Sequence, residues 1–281
     1  MKNLEFYNAV NRSISASINN ESMGHGLLLE VAELSVQRNR KNLLQGLHFQ
    51  VRAGEFVAVI GANGAGKSTL VRAVTGEWDA TGKIKIFGRN LASWTRKELA
   101  QRMAVMSQKT HLDFSFTAQQ VVEIGRLPHT RFSASHNSNV AREVLNSLTL
   151  TEYADRALTS LSGGEAQKVQ FARAVTQLSG ATEPTLLILD EPTAALDLAQ
   201  QKVILDATRH SCQSNNAVLA VLHDLNQVAL YADRVLVLRN GRLIFDAPTA
   251  QALTPPILSE AYGVNIRVEV LTDGRRIILV D

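Results

Sequence analysis

The run Gly61-Ala62-Asn63-Gly64-Ala65-Gly66-Lys67-Ser68 constrains this chain more than any other feature. It fits the pattern G-x-x-x-x-G-K-[ST] and stands where the apolar stretch Phe56 to Ile60 ends and helical spacing begins, over Ser68 to Thr75. A strand, a glycine-rich turn and a helix in that order let the backbone curl, so that successive N–H groups face phosphate oxygens at a helix N-terminus. Lys67 can then reach the β and γ oxygens, and the Ser68 hydroxyl, followed by Thr69, can ligate Mg2+. At ordinary residue frequencies the fixed positions of the pattern should arise by accident in roughly 1% of chains of this length. The segment Gly61 to Thr69 is therefore the candidate binding site for the phosphates of ATP.

A second apolar run, Leu186-Leu187-Ile188-Leu189, ends in Asp190-Glu191, at the carboxyl edge where α/β sheets hold their ligands. Asp190 is expected to hold Mg2+ through water, and Glu191 to turn toward the γ-phosphate and polarise the attacking water. Alone, two acids after a strand most often make a solvated turn; the upstream loop gives these two a chemical role.

The rest of the chain supplies a frame for these motifs. Leu27 to Val36, Leu43 to Val51 and Lys83 to Phe87 read as strands of an antiparallel region, and Ala104 to Met106 as a further strand. From about Gln108 to Leu161 only helical spacing recurs, in Ala118 to Leu127, Asn139 to Leu148 and Thr151 to Ala157. Alternation then returns: a helix over Gly164 to Leu178, a strand over Thr185 to Leu189, a helix after Asp197, and strands over Ala217 to Leu222 and Arg234 to Leu238. Three short strands, Gly241 to Phe245, Ile266 to Leu271 and Arg276 to Val280, surround a helix near Pro256 to Tyr262 in the tail. The pattern predicts an α/β fold, a P-loop NTPase (RecA-like) sheet core with an antiparallel β region and a helical insert. We expect a flexible leader over residues 1–26 and an ATPase domain over 27–281, with a helical subdomain at about 109–165 and a small appendage at about 240–281.

Composition narrows the function classes. A hydrophobic content of 45% in 281 residues can fill a large core, yet no apolar run approaches the roughly 18 to 20 residues of a membrane helix. The polar leader, rich in Asn and Ser, lacks the apolar core of a signal peptide, and Met23 is an alternative start. Cys212, the single cysteine, forms no internal disulfide. The net charge of +3 comes from scattered basic residues whose clusters, Arg38 to Lys41 and Arg275 to Arg276, are short; no nucleic-acid partner is expected.

Leu161-Ser162-Gly163-Gly164-Glu165 resembles the signature motif of the ABC ATPases and stands at that family's distance before the Asp190-Glu191 strand. The resemblance covers about residues 28 to 281. It implies that Ser162, Gly163 and Gly164 face the γ-phosphate of ATP held by the opposite subunit, although Ser162 can also simply cap its helix. Gln108 resembles the Q-loop glutamine, which contacts Mg2+ or its water and joins the core to the helical insert. Ala195-Leu196-Asp197 resembles the D-loop, whose Asp aligns the subunits and can also cap a helix. His223 resembles the switch histidine that touches the γ-phosphate; with Glu191 and Lys67 it makes up the expected catalytic set. One departure stands out: the stretch Val36 to Arg40 lacks the aromatic residue that the family stacks on adenine, so Arg38 or Arg40 is the expected substitute.

What the resemblance implies at the level of assembly is a homodimer of ATPase subunits enclosing two ATP molecules and Mg2+. It would work at the cytoplasmic face of a bacterial inner membrane with two separate transmembrane permease subunits. Phe114-Ser115-Phe116-Thr117, Gly125-Arg126-Leu127-Pro128-His129, Ala195 to Gln201 after the extended Leu178 to Pro184, and Ala261-Tyr262-Gly263-Val264 resemble the branch importing iron-siderophores, cobalamin and heme, within it the hemin-import ATPases. ATP hydrolysis driving heme import is the implied function, with an indirect link to a periplasmic heme-binding protein. A ferric siderophore or cobalamin is the alternative cargo. A non-transport ABC ATPase acting on nucleic acid or ribosomes is the reading from another class; such proteins usually carry a long coiled coil or tandem cassettes, and neither pattern occurs here.

Overall fold

The computed structural model describes residues 26–107, 116–213 and 215–280; Gln108 and the expected leader up to residue 25 lie outside the described residues. Long strands β1 (Leu27–Arg38) and β2 (Lys41–Arg52) pair as a hairpin. They continue through β4 (Thr81–Ile86) and β5 (Arg89–Asn90) into an antiparallel sheet of order β2-β1-β4-β5. After the adjacent buried pair Leu28 and Leu29, the buried positions of β1 run Val31, then Leu34 and Val36, skipping one residue. The skip is a bulge at Glu33, whose φ is 53°, where the register with β2 shifts between Val31 and Leu34. One extra residue there restores the inward face.

The second sheet carries the strands that read as unbroken apolar runs. Its order is β10-β9-β3-β8-β7-β6, with β3 (Phe56–Ile60), β6 (Met103–Met106), β7 (Leu186–Asp190), β8 (Ala217–Val221), β9 (Arg234–Arg239) and β10 (Arg242–Pro248). β6, β7, β8, β3 and β9 are parallel, and only β10 is antiparallel. Every residue of β3, β7 and β8 is buried, because helices or the other sheet cover both faces. Helix α1 (Lys67–Val74) lies between the sheets, with Leu70, Val71 and Val74 in one apolar cluster alongside Leu29, Leu34, Val57 and Ile188.

On the opposite face lie α2 (Ala118–Ile124), α3 (Ala134–Ser147), α4 (Gly163–Leu178), α5 (Leu198–Ser211) and α6 (Leu225–Tyr231). Val121, Leu145, Phe171, Leu205 and Val228 from these helices share a second cluster. The C-terminal end of α4 is capped by side chains from the Gly125 to His129 stretch. Arg126 Nη1 donates to the carbonyls of Thr176 at 2.8 Å and Ser179 at 2.6 Å, and His129 Nε2 lies 2.6 Å from that of Gln177. A cation at these carbonyls suits the negative end of the helix, although burial lowers the Arg126 pKa to about 10.

Two local expectations differ from the structure. Thr151 to Ala157 makes only a single 3-10 turn, Thr151–Tyr153. Its carbonyls serve another helix: Ala118 N–H donates to Arg156 and Gln119 N–H to Ala154, which satisfies two N-terminal donors of α2. Conversely, α6 is a helix absent from the sequence reading, started by Asp224 accepting from the amides of Asn226 and Gln227. The tail carries α7 (Pro255–Tyr262), with proline in its first turn and Gly263 as a left-handed cap, and the hairpin β11 (Ile266–Val270) with β12 (Arg276–Val280).

Candidate functional site

Strand order explains why motifs far apart in sequence meet. β8 lies between β3 and β7, so their carboxyl ends deliver three adjacent groups: the glycine-rich loop after β3, His223 after β8, and Asp190-Glu191 at the end of β7. At the start of α1, Gly66 adopts φ 109°, and a β-carbon there would fall 2.8 Å from Leu44 Cδ2. Only glycine permits this turn. Lys67 is buried, with Nζ donating to the carbonyls of Gly61 at 2.7 Å and Ala62 at 3.1 Å. Burial lowers its pKa, while the nearby Glu191 and Asp190 carboxylates pull it back up.

Ser68 Oγ donates to Asp190 Oδ1 at 3.2 Å. Asp190 is buried, and loss of water raises its carboxyl above the ordinary 3.8, a rise that the Ser68 hydroxyl opposes and the Glu191 charge adds to. A buried carboxylate whose ionised form is disfavoured, next to a hydroxyl, fits a hard cation such as Mg2+. Among the described residues no cluster of three or more His, Cys, Asp or Glu could cage a metal by itself. Mg2+ rarely uses such a cage, being held by one or two protein oxygens, water and substrate phosphates.

Glu191 occupies the left-handed region at φ 56°, unusual for a non-glycine residue. Its Oε1 lies 2.6 Å from His223 Nε2. Its amide donates to the Val221 carbonyl at 3.2 Å, and its own carbonyl accepts from Gln167 Nε2 at 2.7 Å. The backbone is thus held on both sides, and the carboxylate is aimed across the end of β8.

A cleft of about 460 Å3 opens above the loop, lined by Asn63, Gly64, Gly66, Lys67, Ser68, Thr69 and Glu191, with Asn42, Leu43, Asn240 and Gly241 at its rim. Gly61, Ala62 and Ala65 do not line it; Ala65 is buried, its carbonyl accepting from Gly241 N–H at 2.9 Å. Arg38 does not line it either, since its guanidinium stacks 4.3 Å over Trp78, and Arg40 sits in the β1–β2 turn at φ 62°.

The remaining motifs form a second group outside this cleft. Ser162 and Glu165 make a reciprocal cap on α4, with Ser162 N–H to Glu165 Oε2 at 2.7 Å and Glu165 N–H to Ser162 Oγ at 3.3 Å. Ser162 and Gly163 are exposed, and a β-carbon on Gly163 would meet nothing within 4 Å. Gly164, by contrast, is pressed on the next segment: a β-carbon would sit 2.8 Å from the Ala195 carbonyl. Asp197 caps α5, accepting from Gln200 N–H at 2.8 Å.

Gln167 joins the two groups and was missed by sequence reasoning. Its side-chain amide donates to Glu191 as above and accepts from Ala195 N–H at 3.0 Å. The available signal was spacing, because Gln167 follows Gly163 and Gly164 by one helical turn and shares their face. The Asn240-Gly241 turn was also unread as part of the rim. Both residues have positive φ, which suits a tight hairpin, and Gly241 clears the Leu43 carbonyl only for lack of a side chain.

Residues 44–194 match the sequence model of the ABC transporter family. The chain is 39% identical to the hemin import ATP-binding protein HmuV of Photobacterium profundum, over 89% of this chain and 90% of that protein. To the protein of the same name from Deinococcus radiodurans it is 43% identical, over 85% and 92%. Among solved structures, a metal-chelate type ABC transporter in an inward-facing conformation superposes with a TM-score of 0.74 at 29% identity, covering 91% of this chain and 98% of that one.

Proposed function

The chain belongs to the ABC transporter family of ATPases, and from that membership we propose that it is the ATP-hydrolysing subunit of a hemin importer. The observation that carries the catalytic part is the Glu191–His223 pair, 2.6 Å apart at neighbouring strand ends beside the phosphate loop. Lys67 and the backbone N–H groups of the cleft-lining Asn63, Gly64 and Gly66 to Thr69 hold the β- and γ-phosphates. Ser68 and Asp190, with Gln108, would hold Mg2+, which would neutralise charge developing on the phosphates. Glu191 orients water and accepts its proton as the new bond to the γ-phosphorus forms and the bond to the bridging oxygen of ADP breaks. His223 fixes the carboxylate and contacts the γ-phosphate.

The exposed Ser162 and Gly163, with half-buried Gly164, serve the nucleotide of a second copy, with Asp197 at the same boundary, so that two chains enclose two ATP molecules. The division into a helical subdomain at about 109–165 and a tail appendage at about 240–281 belongs to the same proposal. None of the described helices is long and apolar enough to cross a membrane. The proposal therefore gives the cargo path to two permease subunits, with this chain at the cytoplasmic face of the inner membrane and an indirect link to a periplasmic heme-binding protein. Hemin as cargo is supported by the names of the relatives. Its test is a deletion strain assayed for uptake of heme, a ferric siderophore and cobalamin. Loss of heme uptake alone is expected in a strain with no second heme system; intact heme uptake with loss of either of the others would refute the cargo.

A further inference from the structure

We propose that Tyr262, in the tail, is a positioning residue for the phosphate loop, fixing the Gly61 backbone so that the loop is preset for nucleotide. The proposal rests on the reading that this loop binds ATP. Tyr262 is the last residue of α7, and its hydroxyl Oη accepts a hydrogen bond from Gly61 N–H at 3.2 Å, across 201 positions of sequence. Gly61 stands at φ 146°, pressed so closely on β9 that a β-carbon would lie 2.1 Å from the Leu238 carbonyl. Only glycine fits, and glycine alone does not hold a conformation. The two peptides that meet at Gly61 are therefore fixed from outside: one by Tyr262 at the N–H, the other by Lys67 Nζ at the carbonyl, 2.7 Å away.

Lys67 is the group that must serve the phosphates, so its bond to Gly61 is open to competition from the ligand. The Tyr262 bond is made by two groups outside that lining, since neither Gly61 nor Tyr262 lines the cleft. Burial pushes the phenol up to about 12, so Oη is an uncharged hydroxyl at neutral pH. A second contact makes the tail a brace across the site. In β12, Ile278 N–H donates to Asn226 Oδ1 at 2.9 Å, and Asn226 Nδ2 reaches the Ile278 carbonyl at 3.4 Å. Asn226 lies in the first turn of α6, three residues after His223. One tail thus touches two of the segments proposed to face the γ-phosphate, the phosphate loop and the stretch that follows His223.

Tyr262→Phe removes Oη alone. With the Gly61 N–H unpaired, the KM for MgATP is expected to rise about fivefold with kcat within about twofold of the parent, the size of one lost hydrogen bond felt in binding. Leu258→Ala, which strips core packing from the same helix, is expected to lower Tm and leave KM unchanged. In 15N-labelled protein the Gly61 amide proton should shift upfield and exchange faster in Tyr262→Phe. An unchanged KM and Gly61 amide in a folded Tyr262→Phe protein would overturn the proposal, as would an equal rise in KM for Leu258→Ala. If the parent binds no ATP, both this proposal and the nucleotide reading fall; if the parent binds and hydrolyses ATP and Tyr262→Phe matches it, only this one does.

Discussion

Replacing Glu191 with Gln isolates one charge. The substitution keeps side-chain length, the left-handed backbone at φ 56° and the carbonyl bond from Gln167, because none of these involves the carboxylate. What it removes is the base and, from the 2.6 Å contact with His223, the carboxylate. His223 is 44% exposed, so solvent screens the pair and its loss should change stability by less than about 1 kcal/mol. Loss of a positioned general base is worth about 10^2 to 10^4 in rate, and because the carboxylate is only 14% exposed, water replaces it poorly; a fall of about 10^3, or about 4 kcal/mol in the barrier, is expected. Affinity for MgATP should persist, since the ground-state contacts come from the loop and from Ser68 and Asp190. Single-turnover phosphate release would measure the rate and equilibrium binding the affinity, on protein freed of contaminating ATPase. Turnover within tenfold of the parent would refute the assignment of Glu191 as base.

Asp190 gives a pH test. Its folded pKa is raised, so the stability tied to its protonated form is fully present below its ordinary 3.8 and is lost as pH rises through the folded value. Asp190→Asn without ligand should melt above the parent at neutral pH, the gap closing on acidification, and should lose the Mg2+-dependent part of stabilisation by ATP; a gap independent of pH would refute this. Gln167→Ala removes two hydrogen bonds of about 1 kcal/mol each that hold Glu191 and Ala195, and kcat should fall about tenfold at constant KM. A raised KM with unchanged kcat would count against that role. Tagged Lys67→Ala/Ser162→Ala heterodimers on the permease should exceed either mutant homodimer in phosphate release, because one composite site carries both defects and the other neither. Activity no higher than the homodimers, with ATP occluded at neither site, would refute the composite arrangement.

The chemistry of the cleft was legible because its residues sit at the ends of buried parallel strands. Such strands read as plain apolar runs, and β3 falls at the expected boundaries. The residues that follow them, Lys67 and Ser68, Asp190 and Glu191, and His223, need no side-chain geometry to be found. Elements governed by contacts remote in sequence were not legible. The bulge at Glu33 depends on the partner strand, and the Thr151 to Ala157 segment has helical spacing but gives its carbonyls to α2. Tyr262 carried a resemblance but no local sign that its hydroxyl would reach Gly61.

The placement of Gln167 bears on how two composite sites would share information. Ser162 and Gly163 are exposed at the N-terminus of α4, whose far end is clamped by Arg126 and His129. Gly164 abuts Ala195 without room for a methyl group, and one turn further on Gln167 bonds both Ala195 and Glu191. A displacement of this helix end when it docks on a partner's phosphate cannot be absorbed by slack at Gly164, because protein contacts this close do not compress. It would be passed through Gln167 to the backbone of Glu191. In the proposed dimer that glutamate serves the other nucleotide, so engagement at one site would be felt at the base of the second through an in-chain path of three residues, Gly164, Gln167 and Glu191.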